Sequence, residues 1–239
     1  MSAIFAVTLP GFLLGALFMA LATRRAPPGS MPQRWLKLVV FFLIVHGVLG
    51  VAILGRPWTT VLLALILAAG TVELAQAWRR LAVPRPVLVW PVYLLTCVVV
   101  LAISTRLTGA AFAFIFIVTA ACDGFSQVVG QLFGRHRLAP RISPAKTIEG
   151  LLGGLVAALV VAALLREILL PLPVPSVLAL GLGTGLAGLA GDLAASWVKR
   201  RAAIKDYSAA LPGQGGFLDR FDSLLGAMTL AGGFLVTAL

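Results

Sequence analysis

Acidic residues are scarce in this chain, with eight Asp and Glu against nineteen Lys and Arg among 239 residues, and charged residues of all kinds make up only 11%. That shortage excludes a water-soluble globule, because the 60% of residues that are hydrophobic could not be covered by so little polar surface. Cysteine and histidine number two each. Cys97 and Cys122 lie far apart inside apolar runs, with no metal-ligand spacing and no partner that the sequence justifies, so both read as packing residues. His46 sits in an apolar run without an acidic neighbour and His136 among loop arginines; neither belongs to a constellation, and neither is expected in catalysis. Period-2 alternation is missing, which excludes an outer-membrane barrel. No stretch between the apolar runs is long enough to fold as a separate soluble domain.

What the chain does have is long apolar runs. Mean hydropathy is +1.05, and several runs approach or exceed the roughly 20 residues that cross about 30 Å of hydrocarbon as a helix. The sequence therefore predicts an all-α fold, a polytopic transmembrane helical bundle of about eight spans near 3–22, 36–54, 58–78, 87–103, 109–132, 148–170, 176–198 and 217–238. The first run ends in Ala20-Leu21-Ala22, which resembles a cleavage site, but it is too long for a signal peptide and has no basic residue ahead of it, so it reads as a span. Trp58, Trp78 and Trp90 fall near predicted span ends, where interfacial aromatic belts place them. The pairs Gly150/Gly154 and Gly181/Gly185 mark close helix packing.

A net charge of +11 would suggest a nucleic-acid partner in a soluble protein, but here it follows the loops. Arg24, Arg25, Arg34 and Lys37 follow the first span, Arg79, Arg80 and Arg85 the third, Arg135, Arg137, Arg141 and Lys146 the fifth, and Lys199, Arg200, Arg201 and Lys205 the seventh. The loops after the second and fourth spans carry only Arg56 and Arg106, and Pro171 to Pro175 carry none. The positive-inside rule puts the basic loops in the cytoplasm and both termini outside, and no nucleic acid is expected as a partner.

A charge near the bilayer centre costs several kcal/mol on most estimates, so embedded acids need a reason. Setting aside Glu73 and Glu167, the acids are Asp123, Glu149, Asp192, Asp206, Asp219 and Asp222, all in the second half and all near basic exits. Asp123, Gln127 and Gln131 recur every four residues and line one face of the fifth span, with Gly130 and Gly134 close by. Two readings compete for that stripe: an interhelical hydrogen-bond seam, or a functional Asp123. Asp192, Ser196 and Lys199 share a face of the seventh span, and Asp219 and Asp222 share one at the start of the eighth. Paired carboxylates beside lysines and arginines suit magnesium and phosphate. Between those helices, Pro212-Gly213-Gln214-Gly215-Gly216 could let backbone amides approach an anion, and the free N–H groups opening the last span could face the same anion.

The segment SWVKRRAAIKDYSAALPGQGGFLDRFDS, Ser196 to Ser223, closely resembles the signature of the phosphatidate cytidylyltransferase (CDP-diacylglycerol synthase) family. It meets each element of that long signature except a histidine, where Gln214 stands. GRHRLAPRISPAKTIEG, Gly134 to Gly150, is similar to a second family segment, and Gly191-Asp192-Leu193 to a third; Ala195 stands where the family commonly has Glu. The resemblance covers the C-terminal half, while the N-terminal spans match only in hydropathy. It divides the chain into a scaffold with lipid access, 1–108, and the motif-bearing spans and cytoplasmic loops, 109–239.

The resemblance implies condensation of CTP with phosphatidic acid to CDP-diacylglycerol and pyrophosphate, at a site on the cytoplasmic face of an inner membrane, with Mg2+ in a two-metal arrangement. It implies Asp192, Asp219 and Asp222 as catalytic metal ligands with Asp123 contributing, and Lys199 as a catalytic cation. Arg200, Lys205 and Arg220 would bind phosphates, and Ser143, Lys146, Thr147 and Ser196 would contact nucleotide or lipid head group, together with the turn Gly213, Gln214, Gly215 and Gly216. Arg220 remains open between phosphate binding and an ion pair with a neighbouring Asp. Membrane lipids and a second copy of the chain are the further partners implied. Rival readings are a CTP-using enzyme with another lipid acceptor (a polyprenol or phytol kinase, or an archaeal-lipid cytidylyltransferase), a catalytically silent lipid-binding relative suggested by Gln214 and Ala195, and a transporter.

Overall fold

The computed structural model describes residues 2–23, 31–81 and 86–238. Arg24, Arg25 and Arg85, invoked for orientation, lie outside the described residues. In chain order the elements are α1 (Ser2–Thr23), α2 (Met31–Leu54), α3 (Arg56–Arg80), α4 (Val89–Ser104), α5 (Gly109–Phe133), β1 (Arg137–Ala139), β2 (Ser143–Thr147), α6 (Ile148–Leu169), α7 (Val174–Arg201), α8 (Phe217–Ala227), a π turn (Met228–Gly232) and α9 (Gly233–Ala238). The fold is an all-α membrane-type helical bundle. Among the described residues five helices are long and apolar enough to cross a membrane: Trp35–Leu54 within α2, and α3, α5, α6 and α7.

Local chemistry sets the boundaries. Gly55, at φ 98°, ends α2, and Pro57 starts α3 without needing a backbone donor. Thr108 caps α5 by accepting the Ala111 N–H at 3.2 Å, and Thr147 caps α6 by accepting the Gly150 N–H at 3.1 Å. Pro173 and Pro175 open α7 after a short break.

Three features depart from the expected spans. The fourth helix has only 16 residues, about 24 Å at 1.5 Å per residue. The eighth span is not one regular helix: it passes through the π turn, where Gly232 lies against α4, a Cβ there falling 2.9 Å from Ile103 Cγ2. The loop after α5 is a small antiparallel hairpin pairing Arg137 with Thr147 and Ala139 with Ser143 across an irregularity. Pro140 and Pro144 argue against strands in the sequence, and the bulged, edge-only pairing is what accommodates them.

Helix α5 is the axis. Ala111 through Val118 are all buried, so about two turns of this helix are apolar on every side. It packs against α1, α2, α3, α6, α7 and α8. The outer surface is apolar as well: Leu152, Val156, Val160 and Leu164 recur every four residues along the exposed face of α6, the reverse of a water-soluble helix and the pattern lipid requires.

Small residues set the closest approaches. A Cβ at Gly150 would lie 3.2 Å from Gly130 Cα, one at Gly181 2.8 Å from Ala162 Cβ, and one at Gly185 3.0 Å from Leu155 Cδ2. The glycine pairs are helix-packing residues, as their spacing implies. Trp78 meets Trp90 edge-on at 6.2 Å and Trp58 stays exposed.

Candidate active site

The acids gather at the bundle end formed by the close of α5 and α7, the start of α6 and α8, and the hairpin. Gly191 of α7 and Gly226 of α8 make this possible, since a Cβ at Gly191 would lie 3.2 Å from Gly226 Cα and press on the Asp222 carbonyl. Without side chains there, the backbones approach closely enough to face Asp192 toward Asp222. Asp192 pairs with Lys146 and accepts the Ser196 hydroxyl at 3.2 Å. Asp222 is buried; its Oδ1 accepts the adjacent Ser223 N–H at 2.7 Å, while its Oδ2 is a buried polar atom with no hydrogen-bond partner among the described residues. Asp123 lines the same small cleft as Ser223 and Arg220 and lies within reach of the charges of Lys146, Arg220 and Asp192.

Arg220 stacks its guanidinium 4.5 Å from the Phe41 ring of α2 and faces Asp123, Asp222 and Asp192 without forming a close ion pair among the described residues. Phe116, Thr119, Ala120, Asp123, Arg220, Ser223 and Leu224 line a small cleft here. Burial works against the charge on Lys146, and the carboxylates of Asp192, Asp123 and Asp222 outweigh it, holding the Lys146 pKa above its ordinary value.

One turn away the chemistry is closed. Lys199 Nζ donates to Asp219 Oδ1 at 2.7 Å, while Asp219 Oδ2 accepts the Tyr207 N–H at 2.6 Å and the Gly216 N–H at 2.9 Å. The next two donors of α8, Phe217 N–H and Leu218 N–H, go to the carboxyl of Glu73 on α3 at 3.0 and 2.7 Å. The Tyr207 hydroxyl donates to Ala195 O at 3.0 Å. Burial, followed by the nearby Asp222 and Asp219, drives the Tyr207 pKa upward and keeps the phenol a neutral donor.

The glycine turn is shaped by protein contacts. The Gln214 N–H bonds Leu211 O at 2.9 Å around Pro212-Gly213, with Gly213 at φ 71°, the type II arrangement that Pro followed by Gly favours. The Gln214 side chain donates from Nε2 to Lys37 O of α2 at 2.8 Å. A Cβ at Gly215 would lie 2.9 Å from Asp219 Oδ2, and one at Gly216 2.7 Å from Glu73 Cδ.

The sequence profile described as the cytidylyltransferase family matches residues 4–237. The chain belongs to the cytidylyltransferase family. It is 39% identical over 103 residues to a phosphatidate cytidylyltransferase of Aquifex aeolicus, covering 43% of this chain and 38% of that protein. It is 35% identical over 129 residues to one of Staphylococcus epidermidis, 53% of this chain and 50% of that one. The Escherichia coli K12 protein named "Uncharacterized protein YnbB" is 36% identical over 124 residues, 51% of this chain and 42% of the relative. The chain thus spans half or less of the length of these curated relatives. No solved structure matches it.

For this cytidylyltransferase-family chain, the structure brings Asp123, Lys146, Asp192, Ser196, Arg220 and Asp222 together and separates others from them. Thr147 is spent as the α6 cap, packed on Gly130 and Gly134. Ser143 sits at the hairpin pairing with Ala139, and Arg200 ties α7 to that hairpin through Ile142 O at 3.1 Å. Lys205 is exposed, as are Gln127 and Gln131, so the stripe expected on α5 contributes only Asp123 to the cluster. The α8 N–H groups expected to meet an anionic ligand already have internal anions in Asp219 and Glu73. His136, expected without a constellation, bonds Glu149 at 2.6 Å, and the same carboxyl accepts the Arg135 and His136 N–H groups, which fixes the turn into the hairpin. Sequence reasoning set Glu73 aside; its solitary position in an apolar helix that ends in Arg79 and Arg80 was the available signal.

The fit of a divalent cation can be judged from the donors. Among the described residues no three His, Cys, Asp or Glu side chains already form a metal-holding group. The partnerless Asp222 Oδ2, with Asp192 and Asp123 facing it, suits a cation. Asp219 does not, because both its oxygens are committed to Lys199 and two backbone donors.

Proposed function

We propose that this protein transfers the cytidylyl group of CTP to phosphatidic acid, releasing pyrophosphate and leaving CDP-diacylglycerol in an inner membrane. The observation that carries this reading is the buried, partnerless Asp222 Oδ2 set among Asp123, Asp192, Lys146 and Arg220. An acceptor phosphate oxygen must attack the α-phosphorus in line, so two anions have to be brought together and oriented. Lys146, on the hairpin, and Arg220, on α8, stand on different elements and approach the same carboxylates, which suits them to one anionic partner each. Lys146 exchanges Asp192 for a nucleotide phosphate oxygen, and Arg220, held by the Phe41 face, takes the phosphate of the lipid. Asp222, with Asp192 and Asp123, would hold Mg2+, which when bound neutralises phosphate charge. Lys199 and Asp219 keep α7 and α8 in register for these contacts.

Purified protein incubated with labelled CTP, Mg2+ and phosphatidate should yield CDP-diacylglycerol and pyrophosphate in equal amounts. Product appearing only with a polyprenol, phytol or archaeal-lipid acceptor would replace the substrate, and no nucleotide consumption would replace the reaction class. The orientation belongs to the same reading: with Cys97 and Cys122 replaced, cysteines introduced at Arg135 and Arg201 should react with impermeant reagents only from the cytoplasmic side, and one at Pro173 only from outside. Reversed labelling would remove CTP access.

A further inference from the structure

Glu73 comes from the half of the chain that carries none of the family motifs, yet it reaches 144 and 145 residues along the sequence to the first turn of α8. It is 5% exposed, and its two oxygens accept the Ser208 hydroxyl at 2.6 Å, Phe217 N–H at 3.0 Å and Leu218 N–H at 2.7 Å. A carboxyl group placed in an apolar helix is costly, and three donors converging on it offset that cost only if the partner turn is held in one place. The turn so held carries Asp219 and Arg220, and Asp222 follows on the next turn of the same helix. We propose that Glu73 is a positioning residue that seats α8 from α3, fixing where Arg220 and Asp222 stand in the site, and that Gly216 is glycine to admit the Glu73 carboxyl. The kinetic side of this proposal rests on the reading of function given above; the structural side does not.

Two consequences separate it from the alternative that the glycine turn and the α8 N-terminus receive nucleotide phosphate. A Cβ at Gly216 would fall 2.7 Å from Glu73 Cδ, so the harm of Gly216→Ala depends on the length of the side chain at position 73. Ligand approach to Gly216 would make that harm independent of position 73. Lys146 belongs to β2, so nucleotide capture is expected to survive a shift of α8 that misplaces Arg220 and Asp222.

The experiment is a melting-temperature cycle on detergent-purified wild type, Gly216→Ala, Glu73→Asp and the double variant, with turnover measured on wild type, Glu73→Gln, Glu73→Asp and Ser208→Ala. The expected result is a Gly216→Ala penalty at least halved in the Glu73→Asp background. Glu73→Gln, which puts an amide N–H against backbone donors, should lose about tenfold or more in kcat per folded molecule with the KM for CTP within about threefold. Glu73→Asp should recover part of that loss. Ser208→Ala, which keeps both backbone bonds, should fall in the same direction by less, and gives the kinetic answer should Glu73→Gln not accumulate. Equal Gly216→Ala penalties in both backgrounds, or wild-type kcat in folded Glu73→Gln, overturns the assignment. A wild-type protein that makes no CDP-diacylglycerol defeats the reading of function, and the melting-temperature cycle then decides the role of Glu73 alone.

Discussion

Asp219 and Asp222 lie three residues apart on one helix and have opposite surroundings. Asp219 has an ion pair with Lys199 and two backbone donors, and its side chain and that of Lys199 are 5% and 10% exposed. Asp222 spends one oxygen on its own neighbour's N–H and leaves the other buried and unpaired among Asp123 and Asp192. Folding alone explains the first arrangement, because Asp219 and Glu73 together answer the Gly216, Phe217 and Leu218 N–H groups at the α8 N-terminus. Folding does not explain the second, because an unanswered buried carboxyl oxygen costs free energy that a neutral residue would avoid. Under-satisfied polar groups beside satisfied ones therefore separate the groups kept for a ligand from those kept for the scaffold.

The sharpest break of that comparison is a pair of Asp→Asn substitutions. Asp222→Asn should reduce CDP-diacylglycerol formation by about a thousandfold, near 4 kcal/mol in barrier, with a melting temperature equal to or above wild type. Asp219→Asn should do the converse, costing about 3 kcal/mol of stability because it leaves Lys199 buried without its anion, while correctly folded molecules retain most of their turnover. Melting temperature and turnover per folded molecule, measured together, check both. Interchanged outcomes would reverse the roles assigned to the two carboxylates.

Next in size is the spacer between the helices that carry the cluster. Gly191→Ala puts a methyl against the Asp222 carbonyl and 3.2 Å from Gly226 Cα. Backbone cannot yield there as a side-chain tip would, so about 2 kcal/mol of stability should be lost, together with turnover, as α7 and α8 separate. Gly183→Ala, on the same helix but with its nearest neighbour a Leu230 methyl at 3.6 Å, is the matched control and should change neither measurement.

How much of this was legible beforehand follows the range of the interactions. Of the eight expected spans, the five long apolar helices, with the Gly150/Gly154 and Gly181/Gly185 seams, follow from local hydropathy and spacing, so the sequence displays them directly. The grouping of Asp123, Asp192 and Asp222 was legible only as a sharing of one bundle end. Which aspartate remained unsatisfied was not, since that depends on Tyr207 N–H, Gly216 N–H and Lys199 all arriving at Asp219. Glu73 is visible in the sequence as a lone acid in an apolar helix, but what it holds is illegible for the same reason: its partners are 135 to 145 residues away. The hairpin was hidden by two prolines, and the π turn by an apolar run that reads equally well as regular helix.

A smaller effect is expected at Gln214, whose amide bonds Lys37 O at 2.8 Å and fixes the turn against α2. A histidine at this position can present a ring N–H to the same carbonyl, so Gln214→His should keep turnover within about tenfold, or 1.4 kcal/mol. Gln214→Ala removes the donor and should lower stability by about 1 kcal/mol. A large gain in rate with histidine would move this position from the scaffold to the reacting groups.

The smallest expected effect tests whether the end of α7 is scaffold alone. Ala203 has φ 54°, a conformation that L side chains adopt at a cost of about 1 kcal/mol. It is held there because Ala203 N–H bonds Arg200 O at 3.2 Å and Ile204 N–H bonds Lys199 O at 3.0 Å, closing the helix by a left-handed turn just after the residue that binds Asp219. Glycine fits that turn without steric penalty, although it also gains freedom in the unfolded chain, so the net gain from Ala203→Gly should be about 0.5 kcal/mol. At this chain length that is a rise of about 1–2 °C in melting temperature. Turnover should not change, because Lys199 and Asp219 keep their geometry and neither Asp222 nor Arg220 is touched. A rise in stability accompanied by lost turnover would mean that the strained turn moves during the reaction, and the line drawn between a closed scaffold and an open site would then have to include the α7–α8 loop on the open side.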